Sequence, residues 1–193
     1  MNKPKLFGLI SVVGLVLVVI ISTSYIWGSS WPNKGQATGF MTGTALSSLN
    51  ASSPGVYVSY ANSTIYINSS VSLPVMMGPM NAPSMYSFEI LGMINPTIVA
   101  KQGITVEFTV INVDTDSYHN FVLSHSGPPY YYMGSMMQSP GLMNNMNFLP
   151  PAHSGNYAYA NLSYSFSEPG TYWYLCTYPG HAANGMYGKI IVV

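Results

Sequence analysis

Three side chains that can bind a soft metal ion lie close together near the C-terminus, in the stretch LCTYPGHAANGM. Four residues separate Cys176 from His181, and four more separate His181 from Met186. Thiolate and thioether sulfur select copper over hard cations, whereas zinc rarely takes methionine. One cysteine, two histidines and a weakly bound methionine are the ligands of a blue-copper electron-transfer site. The loop supplies three of these four ligands, so the sequence predicts a copper site that needs one more histidine.

The second histidine must come from upstream, where there are three candidates. His119 stands at the start of an apolar strand, after the Asp114–Ser117 turn, and faces the C-terminal loop across one end of the predicted sandwich. His125 ends the same strand, roughly 20 Å further along. His153 lies in a loop after FLPPA. We therefore predict His119, Cys176, His181 and Met186 as the metal ligands.

Each of these residues also has an ordinary structural interpretation. A single cysteine is often an inert apolar core residue, and single methionines usually serve packing. The joint occurrence of Cys, Pro-Gly-His and Gly-Met in one loop before a closing strand favours copper. Four histidines and no His-x-His motif argue against a multicopper oxidase or nitrite reductase, which needs further histidines for additional coppers. A binuclear copper subunit needs two cysteines, and the chain has one.

The sequence predicts that the elements that position these ligands are short β-strands. Segments rich in β-branched and aromatic residues are separated by Gly, Pro, Asn and Ser, as in a sandwich or barrel. The two segments VYVSY and TIYIN bracket Ala61–Ser63 and predict a hairpin. The others are MYSFEIL, TIVA, ITVEFTVIN, HNFVLS, YAYANLSYSF, TYWYLC and GKIIVV. We predict an all-β sandwich over residues 55–193.

Two segments outside this pattern have distinct compositions. Residues 29–54 are rich in Ser, Gly, Thr and Asn and read as a linker, with a short ordered piece at 40–49. Residues 127–153 contain five methionines and several prolines and read as a loop insertion. A copper-delivery protein that binds Cu(I) through this Met-rich loop is the alternative function.

The N-terminus predicts a membrane segment. Lys3 and Lys5 precede an apolar run that continues to Trp27; residues 6–27 would form a helix of about 33 Å, enough to cross a bilayer. The lysines favour a cytoplasmic N-terminus, which places the rest of the chain outside. A cleaved signal peptide is the competing interpretation of residues 1–28.

Charge is scarce in this chain. Asp, Glu, Lys and Arg make up 5% of the residues, against roughly 25% in typical domains, and arginine is absent. The chain therefore lacks the basic clusters that nucleic-acid binding requires. A protein with five acids also has few carboxylates to protonate, which suggests service in strong acid.

The copper loop YLCTYPGHAANGMYGKIIVV resembles that of the cupredoxins, and its spacing is most similar to the rusticyanin and archaeal sulfocyanin branches. The resemblance spans residues 86–193. It implies a Greek-key β-sandwich with one type 1 copper that carries single electrons without substrate turnover. It also implies a monomer, membrane-anchored and extracytoplasmic, that exchanges electrons with a cytochrome or terminal oxidase. Asn120 matches a plastocyanin-like position that hydrogen-bonds across the Cys loop, where rusticyanin has serine.

Overall fold

Alternating apolar and polar residues form strands through most of the chain after Pro54. The computed structural model describes residues 39–49, 54–132, 141–144 and 146–193. A short helix α1 (Gly43–Ser47) and 3-10 turns at Tyr60–Asn62 and Ala182–Asn184 accompany the strands. The strands are β1 (Gly39–Thr42), β2 (Val56–Ser59), β3 (Thr64–Ile67), β4 (Val71–Met77), β5 (Phe88–Ile90), β6 (Met93–Ile94), β7 (Thr97–Ala100), β8 (Thr105–Asn112), β9 (Val122–Ser124), β10 (Asn156–Ser165), β11 (Gly170–Leu175) and β12 (Tyr187–Val192).

The described strands form two six-stranded sheets. One has the order β1-β10-β8-β4-β5-β6 and the other the order β2-β3-β7-β12-β11-β9. Pairing is parallel between β4 and β8 and along β3, β7 and β12, and antiparallel elsewhere. Apolar side chains from both sheets form one buried core. The all-β sandwich predicted from the sequence is confirmed.

The core follows the period-2 pattern of the strands. Along β8, Val106, Phe108 and Val110 are fully buried at alternate positions, while Glu107 between them is exposed. Such alternation is what buries one face of a strand and leaves the other in water.

A cluster of aromatic rings closes the core beneath one end of the sandwich. Phe88 packs edge-on against Phe121 and Tyr174, with 5.4 Å between ring centroids in each pair. Phe121 and Tyr174 stack at 5.3 Å, and the Tyr174 hydroxyl donates to the Pro96 carbonyl over 2.6 Å. The cluster forms a rigid apolar floor for the loops at that end.

The hairpin predicted around Ala61–Ser63 is confirmed, because β2 and β3 pair antiparallel across the 3-10 turn. Strand β4 is absent from the predicted set. Its central residue is Pro74, and proline is rare inside strands because it cannot donate a ladder hydrogen bond. Proline is tolerated there because β5 pairs only with Met76 and Met77, so β4 has a single neighbour beside Pro74.

The first sheet begins inside the segment that the sequence assigns to the linker. Strand β1 pairs with β10, with Gly39 opposite Tyr159 and Thr42 opposite Asn156. The Thr42 hydroxyl then accepts a hydrogen bond from the Ala45 amide and caps α1. The ordered piece expected at 40–49 is thus an edge strand of the sandwich followed by one helical turn.

The predicted membrane segment, residues 6–27, lies outside the described residues. Within the part of the chain that the structure describes, no helix is long and apolar enough to cross a bilayer. Of the Met-rich segment the structure describes residues 127–132, 141–144 and 146–153, and there Leu142 and Leu149 form bridges to Ser124 and His119. The parts around these two leucines therefore lie against the sandwich.

Candidate metal centre

Two loops at one end of the sandwich bring three of the predicted ligands together. The first runs from β8 to β9 and carries His119; the second runs from β11 to β12 and carries Cys176 and His181. The Cys176 Sγ lies 3.9 Å from His119 Nδ1 and 3.5 Å from His181 Nδ1, and the two Nδ1 atoms are 3.1 Å apart. All three side chains are buried. Three donors this close together can surround a single small cation.

The fourth predicted ligand, Met186, closes the second loop. Its side chain is fully buried. The Cys176 amide donates to the Met186 carbonyl over 3.1 Å, and the Met186 amide donates to the His181 carbonyl over 3.0 Å. Gly185 precedes it with φ of 105°, a conformation that favours glycine. Backbone hydrogen bonds within the loop thus connect Met186 to Cys176 and to His181, the other two ligands on this loop.

The first ligand is held by the end of the Met-rich segment. His119 and Leu149 exchange two backbone hydrogen bonds, 3.3 and 2.7 Å long. The Asn112 amide group at the end of β8 donates to the carbonyls of Ser117, Leu149 and Pro150. Leu149 and Asn112 therefore fix the backbone on both sides of His119.

Asn120 joins the two loops. Its side-chain amide donates to the Thr177 hydroxyl, and its side-chain carbonyl accepts from the Thr177 backbone amide, both over 2.8 Å. It also donates to the Met146 carbonyl. The hydrogen bonding across the Cys loop that the sequence implied for Asn120 is present.

A buried carboxylate lies behind His119. Asp114 Oδ2 is 3.0 Å from His119 Nε2, while the Nδ1 of the same ring faces Cys176 and His181. Asp114 Oδ1 accepts from the backbone amides of Asp116 and Ser117. The imidazole is thus fixed between a carboxylate on one side and the cysteine sulfur on the other.

The second imidazole, His181, is surrounded by hydroxyl and tyrosine groups. Its Nε2 lies 3.3 Å from the Ser117 hydroxyl. The Tyr86 and Tyr178 rings contact it at centroid distances of 5.2 and 4.8 Å, and Tyr178 stacks with the half-exposed Tyr118. His181 is 4% exposed, so these rings separate it from water almost completely.

Burial favours the uncharged forms of these groups in the metal-free protein. Burial raises the pKa of the Cys176 thiol to about 12, although hydrogen bonds from Asn120 and Tyr178 act in the opposite direction and lower it. It lowers the pKa of His181 to about 4, helped by the neighbouring His119 and opposed by Asp114. It also lowers the pKa of His119, although the Asp114 carboxylate opposes this.

The Asp114 carboxyl behaves differently. Burial raises its pKa, but the hydrogen bond from His119, the two backbone amides and the charge of His119 together hold that pKa below its ordinary value. Burial therefore favours the neutral form of both imidazoles, and hydrogen bonding favours the ionised form of the carboxylate beside His119.

The other two histidines lie away from this centre. The exposed His125 packs its ring on Tyr172 at 5.0 Å, and the exposed His153 forms a backbone bridge to Asn156. The choice of His119 among three upstream candidates thus agrees with the geometry.

The family profile of copper binding proteins of the plastocyanin/azurin type matches residues 91–193. This chain belongs to that family. Rusticyanin of Acidithiobacillus ferridurans is 34% identical over 138 residues, which cover 72% of this chain and 68% of the relative. Rusticyanin of Acidithiobacillus ferrooxidans is 33% identical over a match that covers 72% of this chain and 82% of the relative.

Solved structures agree with the sequence comparison. A structure of rusticyanin from Thiobacillus ferrooxidans superposes with a TM-score of 0.70 and 29% identity, over 82% of this chain and 99% of that one. Reduced rusticyanin superposes with a TM-score of 0.69 and 28% identity, over 80% and 99%. The protein is therefore a cupredoxin of the rusticyanin-like, blue-copper kind, and its His-Cys-His cluster fits the single type 1 copper of that family.

Sequence reasoning missed several residues of this centre. Asp114 and Leu149 contact His119, and Tyr86 contacts His181. A signal existed for Asp114, since Asp-x-Asp-Ser is an Asx-turn pattern whose carboxylate binds the backbone two residues on. Leu149 and Tyr86 reach the site from 30 and 95 residues away, and no local pattern indicates such contacts.

Proposed function

We propose that this cupredoxin is a single-electron carrier whose one copper would be held by His119, Cys176 and His181, with Met186 as a weaker fourth ligand. The observation that carries the proposal is the buried cluster of His119 Nδ1, Cys176 Sγ and His181 Nδ1, all within 4.8 Å of one another. This donor set fits copper, because soft thiolate and imidazole ligands with a thioether select it.

Copper bound here would supply one-electron chemistry between its Cu(II) and Cu(I) states. The residues of the chain would keep its ligands in the same arrangement in both states. Asn112 fixes the His119 backbone, and Asn120 ties the two ligand loops together. Rigid ligands need little rearrangement during electron transfer. The buried Phe88, Phe121 and Tyr174 belong to the same apolar core as Cys176 and Met186, and such surroundings would favour the less charged Cu(I) state.

Electrons enter and leave through His181. Its ring lies against Tyr178, and Tyr178 stacks on Tyr118, which is 45% exposed. These contacts give a continuous aromatic connection from a ligand to the surface. A redox partner with an apolar docking face fits this aromatic surface.

The proposal extends to the cellular setting. An uncleaved N-terminal anchor over residues 6–27 would hold the copper domain on the extracytoplasmic side, where it passes electrons as a monomer to a cytochrome or terminal oxidase. Support comes from the apolar segment after Lys3 and Lys5. The scarcity of carboxylates supports an acidophilic host, since few ion pairs are lost in acid.

The copper-delivery alternative rests on the Met-rich segment. Met143 and Met146 are half-buried and pack against the core, so these two thioethers serve packing. Met133, Met136 and Met137 lie outside the described residues.

The test uses the full chain in detergent, loaded with Cu(II). An electron carrier binds one copper per chain and takes up one electron per copper reversibly. Met186→Leu is expected to keep the copper and change its reduction potential. The matched control is Met93→Leu, another buried methionine but in β6, which is expected to leave the potential unchanged. Binding of several Cu(I) ions, readily passed to an acceptor, would instead support delivery.

A further inference from the structure

Asp114 is a buried carboxylate whose partners within the described residues are hydrogen-bond donors. It is 5% exposed. Oδ2 faces His119 Nε2 at 3.0 Å, and Oδ1 accepts from the Asp116 amide at 2.7 Å and the Ser117 amide at 3.2 Å. A carboxylate that accepts several hydrogen bonds is held in its ionised form. Its side-chain partner among the described residues is the His119 imidazole, and neither described lysine pairs with it.

The backbone around Asp114 is built to hold this carboxylate in place. The Asp114 amide donates to Asn112 Oδ1, and the Ala152 amide donates to the Asp114 carbonyl. Asn112 is the residue that also fixes Leu149 beside His119. The carboxylate and the imidazole are therefore positioned by one shared network.

Gly78 has no side chain, and the Asp114–His119 pair occupies the space that a side chain would need. A Cβ at this position would lie 2.7 Å from both His119 Nε2 and Asp114 Cβ, too close for any side chain. Gly78 also has φ of 67°, which favours glycine. Because the glycine is buried, the pair is sealed from water on this side.

We propose that Asp114 is a positioning and charge-tuning residue that stabilises the oxidised copper site through His119. This inference rests on the proposed copper ligands. Cu(II) with the Cys176 thiolate carries a net charge of +1, and Cu(I) with the thiolate carries none. Asp114 brings the oxidised site to neutrality, which favours that state in an apolar surrounding. The hydrogen bond also raises the donor strength of the imidazole.

Asp114 therefore acts against the other features of this site. Burial and a weak thioether ligand both favour Cu(I) and raise the reduction potential. The carboxylate lowers the potential and strengthens Cu(II) binding. The potential of this cupredoxin is set by the balance between the two effects.

The test compares Asp114→Asn with Asp116→Asn in the full chain in detergent. Asparagine keeps the shape and one acceptor oxygen, so it removes the charge at Asp114 with little change in packing. We expect Asp114→Asn to remain blue, to raise the reduction potential, and to weaken Cu(II) binding about tenfold or more relative to Cu(I). Asp116→Asn removes the same charge two residues away at an exposed position, and we expect a much smaller change.

An unchanged or lowered potential in Asp114→Asn, or an equal shift in both variants, overturns the inference. If Asp114→Asn does not fold, Asp114→Ser is measured instead, because it also removes the carboxylate, and a potential that it leaves unchanged or lowers contradicts the proposal. A wild-type chain that lacks the blue copper band contradicts the proposed function itself. A wild type that is blue, with a reduction potential that Asp114→Asn does not change, contradicts only the role of Asp114.

Discussion

Asn120 and Thr177 are joined by two hydrogen bonds of 2.8 Å, one to the Thr177 hydroxyl and one from its backbone amide. Each residue directly follows a predicted copper ligand, His119 and Cys176 respectively. The pair therefore fixes the distance between two ligands that are 57 residues apart in the chain.

Asn120→Ala tests this connection. The substitution leaves the buried Thr177 amide without its acceptor, so we expect a loss of about 1–3 kcal/mol in the free energy of unfolding. Chemical denaturation of the copper-loaded protein measures it. Asn161→Ala, at an exposed position on β10, is the control and should change stability by less than about 0.5 kcal/mol. Equal effects of the two substitutions would argue against a fixed link between the loops.

The loop that carries Met186 depends on Asn95. The Asn95 side chain accepts from the Phe88 amide over 2.8 Å and donates to the Gly185 carbonyl over 3.1 Å, and its φ of 45° suits asparagine. Asn95→Asp keeps the acceptor and loses the donor, so we expect a broadened blue-copper spectrum with little loss of stability. Asn95→Ala loses both bonds and should also destabilise the protein by about 1–3 kcal/mol. A spectrum that neither variant changes would contradict a role for Asn95 in placing Met186.

Gly188 leaves room for the Tyr174 ring in the aromatic floor of the site. A Cβ at Gly188 would collide with the ring and hydroxyl of Tyr174. We expect Gly188→Ala to destabilise the protein by about 1–3 kcal/mol, because overpacking forces the ring to move. Thermal unfolding measures this loss. In the control Gly43→Ala the nearest atom is 3.9 Å away, and a comparable loss there would contradict the packing argument.

The metal-free protein should lose stability as the pH falls from about 6.5 to about 4. The pKa of His181 is lowered from 6.5 to about 4, so the unfolded chain binds a proton across this window and the folded chain does not. The contribution of His181 is present above pH 6.5 and is lost by about pH 4, and a pKa lowered by this much corresponds to about 3 kcal/mol. Denaturation at several pH values measures it.

Two comparisons sharpen this pH experiment. His181→Gln should flatten the pH dependence of the apoprotein over the same window. Bound copper should flatten it too, because the ligand nitrogen is no longer free to accept a proton. If the stability of the wild-type apoprotein depends on pH as weakly as that of His181→Gln, then His181 does not titrate as the structure indicates.

The sequence predicted the parts of this molecule that local patterns encode. The spacing of Cys176, His181 and Met186 placed three candidate ligands on one loop, and the β-branched and aromatic composition of β8 and β11 located the strands that support them. Position at a strand start was enough to choose His119 over His125.

Features that depend on distant parts of the chain were not predicted. Strand β4 contains Pro74. Proline is tolerated in a strand only where one side has no neighbouring strand, and the sequence does not show which strands lie beside β4. Strand β1 lies in a segment whose polar composition is typical of a linker. It forms a strand because it pairs with β10, and the local sequence does not indicate this pairing. Leu149 reaches His119 through backbone hydrogen bonds, which carry no side-chain signal. Gly78 matters through the space it leaves, which only the folded structure shows.

The most direct test of the central claim is the visible and EPR spectrum of the full chain loaded with one equivalent of Cu(II), compared with Cys176→Ser. We expect an intense thiolate-to-copper band with narrow copper hyperfine splitting in the wild type, and loss of both in the variant. A colourless wild type, or an ordinary tetragonal Cu(II) signal that Cys176→Ser leaves unchanged, would contradict copper binding by His119, Cys176 and His181.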